Sequence, residues 1–353
     1  MKYLFFFLLS LIYCADKPTV YFTKNITGEA IVNMFKKLNV NLSGKVGLKV
    51  HSGEPNGPYF LRPNFLQPIY EHTQGTFLEC NVAYTSDRLT TEGHKTTLKT
   101  NGWLDNDRRF DIMDAEEDTY FEIPNHNKIN ITYAGKKLLD YDSCLVLSHF
   151  KGHAMGGFGG ALKQLSIGFG STKGKTWIHT AGQSTNHSEL FPKKASQEDF
   201  TASMADAAWA ISDYFKKKGG IAYISVLANI SIDCDCAGLT AKAPEIKDIG
   251  IFASTDPVAI DQACLDMVKA TNDTGTQAFL QRVKDNKGEN TIAAAVNLGV
   301  GKKEYNLVDI DEDPEPTAEP TAEPTAEPTT DPKPSSSLYL RINLFLLLLL
   351  LFV

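Results

Sequence analysis

The sequence has few cysteines and no uninterrupted apolar run longer than about a dozen residues. Six cysteines in 353 residues are too few for a fold that disulfides hold together, so the chain must rely on a hydrophobic core. The two longest apolar runs, at 3–12 and 344–353, are about half the length of a membrane-spanning helix, which needs about 20 apolar residues. Neither run alone is a normal transmembrane segment.

Basic patches are also missing. The net charge is −7, and most of the acidic excess lies in residues 309–333, which leaves the rest of the chain nearly neutral. No stripe of lysines and arginines follows any predicted element, which argues against a nucleic-acid partner. The glycine spacings fit neither the P-loop nor the dinucleotide-binding fingerprint, so neither nucleotide site is predicted.

Residues 1–15 have the pattern of a secretory signal peptide. Lys2 precedes an apolar stretch, and the small residue Ala15 stands where cleavage would occur. Polar, turn-prone residues follow at once at 16–18, which disfavours the alternative of a buried core helix. We therefore expect the protein to enter the secretory pathway.

The C-terminal part predicts a stalk and an anchor. Residues 309–337 are acidic and repeat TAEP three times, and proline at every fourth position should keep this Pro/Thr/Glu segment disordered or extended. Residues 338–353 form a hydrophobic C-terminal anchor signal. Small residues, a spacer and an apolar tail are typical of attachment to a glycosylphosphatidylinositol (GPI) lipid at the cell surface. The alternative is a spanning helix from Leu338, which would have to bury Arg341.

Asparagine sequons support an extracellular glycoprotein. Asn-X-Ser/Thr occurs at six positions, Asn25, Asn41, Asn130, Asn186, Asn229 and Asn272, and each is a glycan acceptor if it lies on a surface loop. Asn229 lies in an apolar run, and we expect it to be buried. The five cysteines after residue 15 are an odd number, so at least one should be free, metal-bound or paired with another chain.

Residues 16–308 should form an α/β domain with a mixed or mostly parallel sheet flanked by helices. Apolar runs typical of strands alternate with helical patterns. The predicted strands are 45–51, 76–83, 128–133, 143–148, 221–232 and 249–253, and the predicted helices are 28–38, 200–217 and 256–270. Asp256 before Pro257 is a helix N-cap signature, and Asp261 one turn later could face a cleft.

The segment 148–171 (SHFKGHAMGGFGGALKQLSIGFGS) is the densest in polar and glycine residues. Glycines at Gly157, Gly159 and Gly160 would let the backbone approach a cofactor closely. Lys163 could hold an anion there or form a covalent adduct, and His153 could move a proton. The alternative is a glycine-rich turn whose lysines and histidines are only solvated.

The sequence DCDCAG at 233–238 follows an apolar strand and is a candidate metal site. Thiolates favour zinc or iron–sulfur centres. Cys234 and Cys236 supply two ligands, so His149, His153 or His179 would have to complete the shell. The alternatives to metal binding are that the two thiols have no ligand or that they form a strained small-ring disulfide. His51 and Glu54, near the end of the first predicted strand, form a candidate proton-transfer pair.

Four of these segments together resemble domain-of-unknown-function family 362. They are KVGLKVHSGEPNG at 45–57, HFKGHAMGGFGGALKQLSIGFGS at 149–171 with His179 downstream, DCDCAG at 233–238, and DIGIFASTDPVAIDQACLDMV at 248–268. Members of that family often carry ferredoxin-type iron–sulfur segments. This chain has no such cysteine runs.

A fainter local similarity runs from His153 to Lys163. Nickel-dependent lactate racemases have a histidine, a Gly-Phe pair four residues on, further glycines, and a lysine ten residues on that carries the nickel cofactor. Here Gly157-Phe158 and Lys163 stand at that spacing, whereas Ala161-Leu162 replaces the Gly-Arg pair. This resemblance implies nickel as a further candidate metal, besides the zinc and iron–sulfur centres that the thiols favour.

Taken together, the residues favour a metal-dependent surface enzyme that acts on a small anionic molecule. The catalytic candidates are Lys163, His153, Glu54 and His51. The metal candidates are Cys234, Cys236, His149, His153 and His179, for an iron–sulfur, zinc or nickel centre. The alternatives are a non-catalytic surface binding protein on a decayed enzyme fold and a structural glycoprotein. The oligomeric state and the substrate stay open.

Overall fold

A computed structural model describes residues 17–312, which fall in one compact unit. The predicted signal peptide and hydrophobic anchor lie outside the described residues, as does the predicted stalk beyond residue 312. The first residue of that predicted stalk, Asp309, ends a β-strand. No helix within 17–312 is both long and apolar enough to cross a membrane.

An eight-stranded mixed sheet runs through the centre of the domain, in the order β12-β1-β11-β10-β7-β2-β3-β4. Strand β11 is antiparallel to both neighbours, and every other pair in this sheet is parallel. Two small two-stranded sheets, β5-β6 and β8-β9, lie beside it. The strands are β1 (Thr19–Thr23), β2 (Val46–Lys49), β3 (Thr76–Glu79), β4 (Phe110–Ile112), β5 (Asp118–Glu122), β6 (Ile131–Gly135), β7 (Ser143–His149), β8 (Lys151–His153), β9 (Gly157–Gly159), β10 (Ile221–Leu227), β11 (Gly250–Ser254) and β12 (Asn306–Asp309).

Helices connect the strands and cover both faces of the sheet. Several begin at side-chain caps: Thr27 accepts from the Ala30 amide, and Asp256 accepts from the amides of Val258 and Ala259. The predicted role of Asp256 as an N-cap is therefore confirmed. The helices are α1 (Gly28–Lys37), α2 (Gln67–Thr73), α3 (Thr91–Thr100), α4 (Ala161–Lys163), α5 (Thr172–His179), α6 (Gln197–Lys218), α7 (Pro257–Ala270), α8 (Thr276–Asp285) and α9 (Gly288–Asn297).

The central strands are buried on both sides. In β7, Cys144 and Val146 pack into one hydrophobic cluster, whereas Leu145 and Leu147 pack into the other. Strand β10 alternates in the same way, and every residue of β7 and β10 is buried. Parallel strands covered by helices on both faces are expected to be this uniformly apolar. The predicted α/β fold with a mostly parallel sheet flanked by helices is confirmed.

Several local predictions differ from the structure. Strand β3 ends at Glu79, four residues before the predicted end. Strand β10 ends at Leu227, five residues before the predicted end, because the chain turns at Asn229, whose φ is 52°. The same turn exposes Asn229, so the prediction that it is buried is wrong. All six sequon asparagines are exposed. The predicted strand at 128–133 is β6, which pairs with β5 outside the main sheet.

Candidate functional site

The candidate site is a cavity at the carboxyl edge of the main sheet. Strands β2, β3, β7 and β10 run parallel to one another, so the segments that follow them meet at one edge, where α/β folds bind ligands. The cavity has a volume of about 290 Å³, and its wall includes residues from the loops after all four strands. Both predicted motifs, the glycine-rich segment and the Cys-X-Cys segment, contribute to it.

The glycine-rich segment forms a hairpin and then a short helix. Strands β8 and β9 pair, and Gly157 at their turn has a φ of 78°, which favours glycine. Gly159, Gly160 and Lys163 line the cavity, whereas Gly157 packs against α8 and α9 residues instead. After Lys163 the chain continues as a π-helix, Gln164–Gly168. Such π-helical turns occur frequently at functional sites.

Lys163 is a half-buried cation on the cavity wall. Within residues 17–312 its ammonium group forms no hydrogen bond or ion pair. Its charge nevertheless reaches Cys234, His153 and His179, each of whose pKa values it lowers. The lysine is therefore available to an incoming anion.

Two thiols and one imidazole form a compact cluster beside this lysine. The ligand atoms of His153, Cys234 and Cys236 all lie within 4.8 Å of one another. A hydrogen bond from Cys236 and the charge of Lys163 hold the pKa of the Cys234 thiol well below its usual range, although burial opposes this. His153 and His51 lower it further. A thiolate is the form of cysteine that binds metals and attacks electrophiles.

The orientation of His153 is fixed by the backbone. Its Nδ1 accepts hydrogen bonds from the amides of Met155 at 3.2 Å and Gly156 at 2.8 Å. Burial and the charge of Lys163 lower the pKa of His153 to about 4. The imidazole is therefore neutral at physiological pH and carries its proton on Nε2, so a metal could bind Nε2 only after that proton is lost.

Asp235, between the two thiols, attaches their loop to the end of strand β7. Its carboxylate lies 3.0 Å from His149 Nδ1 and 2.5 Å from Lys151 Nζ. Burial would raise the pKa of Asp235, but the neighbouring His149 and Lys151 hold it well below its usual range. His149 Nε2 also lies 2.8 Å from the carbonyl oxygen of Ala228. Both nitrogens of His149 are thus engaged, so this predicted metal ligand supports the thiol loop instead of joining the cluster.

His179 lines the cavity without joining the three-ligand cluster. Its Nδ1 lies 2.6 Å from the Lys175 carbonyl oxygen, which is an acceptor, so Nδ1 carries the proton in the neutral ring. Burial lowers the pKa of His179 to about 3, and the charges of His153, Lys163 and Lys175 act in the same direction. This imidazole is neutral and faces two lysines.

The predicted proton-transfer pair is separated in the structure. Glu54 binds Arg88 at 2.7 Å and accepts hydrogen bonds from Tyr84 and Ser86. Its carboxylate is therefore committed to an ion pair. His51 instead lines the cavity beside Cys234, where burial lowers its pKa. Of the two, His51 alone is placed to exchange a proton with a ligand.

Sequence reasoning missed three charged residues of the cavity wall, Glu79, Arg88 and Lys175. Glu79 lies 3.0 Å from Arg88, and both side chains are almost completely buried. Glu79 ends strand β3 in the structure but lies in the middle of the predicted strand 76–83, so the prediction did not place it at a strand end. Arg88 and Lys175 lie on turn and helix segments with no motif, and their positions depend on tertiary packing.

The cluster suits some of the predicted metals better than others. Two thiolates and one imidazole match the ligands of a zinc site with an open fourth position. Borderline metals such as nickel accept the same donors. An iron–sulfur cluster needs four ligands, mostly thiolates. The five described cysteines are all free, but Cys80, Cys144 and Cys264 are buried and their pKa values are raised by burial.

Comparisons with known proteins find one family and two distant solved structures. Two solved structures are similar at low identity: the lactate racemase apoprotein from Thermoanaerobacterium thermosaccharolyticum (13% identity, TM-score 0.39) and a structural genomics target from Thermotoga maritima (14% identity, TM-score 0.37). The matches cover 70% and 77% of this chain, which spans 57% and 59% of the other two. No curated protein matches. The family model for Domain of unknown function (DUF362) matches residues 46–266, and this chain belongs to that family.

Proposed function

We propose that the protein is a metal-dependent enzyme of the cell surface that acts on a small anionic molecule. One observation carries this proposal: the ligand atoms of His153, Cys234 and Cys236 lie within 4.8 Å of one another, and His153 and Cys236 line a cavity with Lys163, whose ammonium group has no hydrogen-bond or ion-pair partner among residues 17–312. A metal and an anion-binding cation in one cavity can together activate and hold a small anion.

His153, Cys234 and Cys236 would hold the metal, and zinc fits this donor set best. A metal with an open coordination position supplies a Lewis acid or lowers the pKa of a bound water. Asp235, between the two thiols, holds their loop in place through Lys151 and His149. Ligand positions fixed in this way are ready before the metal binds.

The charges of the cavity favour an anionic substrate. Arg88 pairs with Glu79 and Glu54, and Lys151 pairs with Asp235. Among residues 17–312 Lys163 has no carboxylate partner, and Lys175 donates to the carbonyl oxygen of Gly170 instead of to a carboxylate. These two ammonium groups are therefore the ones that would attract an anion into the cavity.

Neutral imidazoles supply the proton chemistry. His179, with a pKa of about 3, and His51, whose pKa burial lowers, both line the cavity. In the neutral state His179 can accept a proton at Nε2 from a substrate held at Lys163, because its Nδ1 donates to the Lys175 carbonyl oxygen. His51 can donate instead, because its Nδ1 accepts from the Gly53 amide and its proton is therefore on Nε2. Lys163 would stabilise negative charge that develops on that substrate.

The location at the cell surface rests on the terminal patterns and the sequons. All six sequon asparagines are exposed, which supports glycosylation in the secretory pathway. Release of the protein from cells by a phosphatidylinositol-specific phospholipase tests the lipid anchor. Retention on the cells would favour the spanning helix from Leu338.

Elemental analysis of the purified protein tests the enzyme proposal. We expect about one metal ion per chain, lost in Cys234→Ser and Cys236→Ser and retained in Cys264→Ser, whose thiol is buried away from the cluster. Absence of stoichiometric metal in reduced and oxidised samples alike would overturn the metal role. That result would favour the alternative, a non-catalytic binding protein.

A further inference from the structure

The residues that line the cavity fall into two chemical groups. Lys163, His179 and Lys175 are the group that we call the cationic wall. The group that we call the apolar wall is Met155 in the turn between β8 and β9, Ile167 in the π-helix, and Leu190 and Phe191 after α5.

The cationic wall fits one compact acidic group. His179 lies near both lysines, since the charges of Lys163 and Lys175 both act on it. Lys175 already donates to the Gly170 carbonyl oxygen at 2.5 Å, whereas Lys163 has no hydrogen-bond partner among residues 17–312. An acid entering the cavity would therefore meet one free ammonium group. A single carboxylate satisfies it.

The apolar wall is larger than a carboxylate alone would need. Ile167 and Leu190 are nearly buried, but the neighbouring Phe191 is 63% exposed although it lines the cavity. A large aromatic side chain left in water beside a cavity gains free energy when a ligand covers it. The apolar wall thus favours a ligand in which an apolar chain or ring is attached to the acidic group.

We propose that the site binds a small monocarboxylic acid with an apolar chain or ring, its carboxylate on Lys163 and its apolar body against Leu190 and Phe191. This inference rests on the proposed function, because it names the substrate class of the same cavity. The volume of about 290 Å³ limits the ligand to a small molecule. Very polar acids, which would leave Phe191 uncovered, are poor ligands.

Calorimetric titration of the purified full-length protein with four probes tests this class. The probes are acetate, hexanoate, 1-hexanol and hexylamine. We expect hexanoate to bind at least about tenfold more tightly than acetate, since each buried methylene group favours binding. We also expect it to bind at least about tenfold more tightly than hexanol, which lacks the charge that Lys163 recognises. Hexylamine should not bind.

Two variants with matched controls locate the contacts. Lys163→Met should reduce hexanoate affinity about tenfold or more, whereas Lys194→Met removes an equal charge from an exposed position outside the cavity and should have no effect. Phe191→Ala should reduce the preference for hexanoate over acetate. Leu104→Ala, at an exposed apolar residue away from the cavity, should not. Thermal unfolding of each variant confirms that it is folded.

Equal binding of acetate and hexanoate, or equal binding of hexanol and hexanoate, would overturn the inference. So would a lack of binding by all four probes, or an equal effect of a variant and its control. The metal content is measured on the same samples. Full metal occupancy without hexanoate binding contradicts the ligand class alone. Hexanoate binding by protein that holds no stoichiometric metal in reduced and oxidised samples alike contradicts the metal-dependent enzyme and leaves the ligand class standing.

Discussion

Lys151 Nζ lies 2.5 Å from Oδ2 of Asp235, and both side chains are almost completely buried. The two residues are 84 positions apart. Lys151 belongs to the glycine-rich segment, and Asp235 lies between the two candidate metal-binding thiols. Their ion pair therefore fixes the two motifs relative to each other and brings His153 to the thiols.

Replacing Asp235 by asparagine should weaken metal binding about ten- to a hundredfold, because residues that orient metal ligands have effects of that size. Competition with a chromophoric chelator measures the affinity for zinc. Asp233→Asn is the matched control, since Asp233 is also next to Cys234 but pairs with Arg282. Equal weakening by both variants would argue against a special role for the Asp235 pair.

Gly160→Ala should destabilise the protein by about 1–3 kcal/mol, the usual cost of overfilling a packed site. A Cβ at Gly160 would lie 2.3 Å from Oδ1 of Asp261, whereas one at Gly156, in the same segment, has no neighbour nearer than 3.4 Å. Gly156→Ala is therefore the control. Denaturant unfolding compares the two variants, and equal stability of both would contradict the packing described for Asp261.

The stability should depend on pH through Asp261. Its carboxylate accepts hydrogen bonds from the amides of Ala161 and Leu162, at the start of the helix that carries Lys163. Burial raises the pKa of Asp261 from 3.8 to about 7, although these amides oppose the shift. Between about pH 4 and pH 7 the folded state therefore keeps a proton on Asp261 that the unfolded state has lost. The contribution to the free energy of unfolding is full below about pH 4 and is lost as the pH rises to about 7.

Asp261→Asn isolates this effect. The stability of the wild type minus that of the variant should fall between pH 4 and pH 7 and then level off. Asp266→Asn, on the same helix at a partly exposed position, should give a flatter difference. A difference that stays constant between pH 4 and pH 7 would show that Asp261 is ionised throughout this range and would contradict the raised pKa.

Much of the fold could be predicted from the sequence. Strands β7 and β11 and helices α1 and α7 were found to within about two residues, because their apolar runs are long and Asp256-Pro257 marks a helix start. Strands β4 and β5 were missed. They are short, and β5 lies on a half-exposed ribbon with little apolar signal.

The site was predictable in part, because several of its residues lie in segments that follow the strands of a parallel sheet. His153, Lys163 and Cys234 belong to segments with clustered chemistry, and the parallel sheet brings those segments to one edge. The ion pair of Glu54 with Arg88 could not be predicted, because the two residues are 34 positions apart and no pattern links them. The engagement of both His149 nitrogens likewise depends on Asp235 and Ala228, which only the folded chain places there.

Cobalt(II) titration of the purified, reduced protein tests the central claim most directly. Bound thiolates give cobalt an intense charge-transfer absorption, and a tetrahedral site gives it strong visible bands. We expect both signals to saturate at about one cobalt per chain and to disappear in Cys234→Ser and His153→Gln while persisting in Cys80→Ser. No thiolate signal in the wild type, or an equal signal in Cys234→Ser, would contradict a metal centre at His153, Cys234 and Cys236.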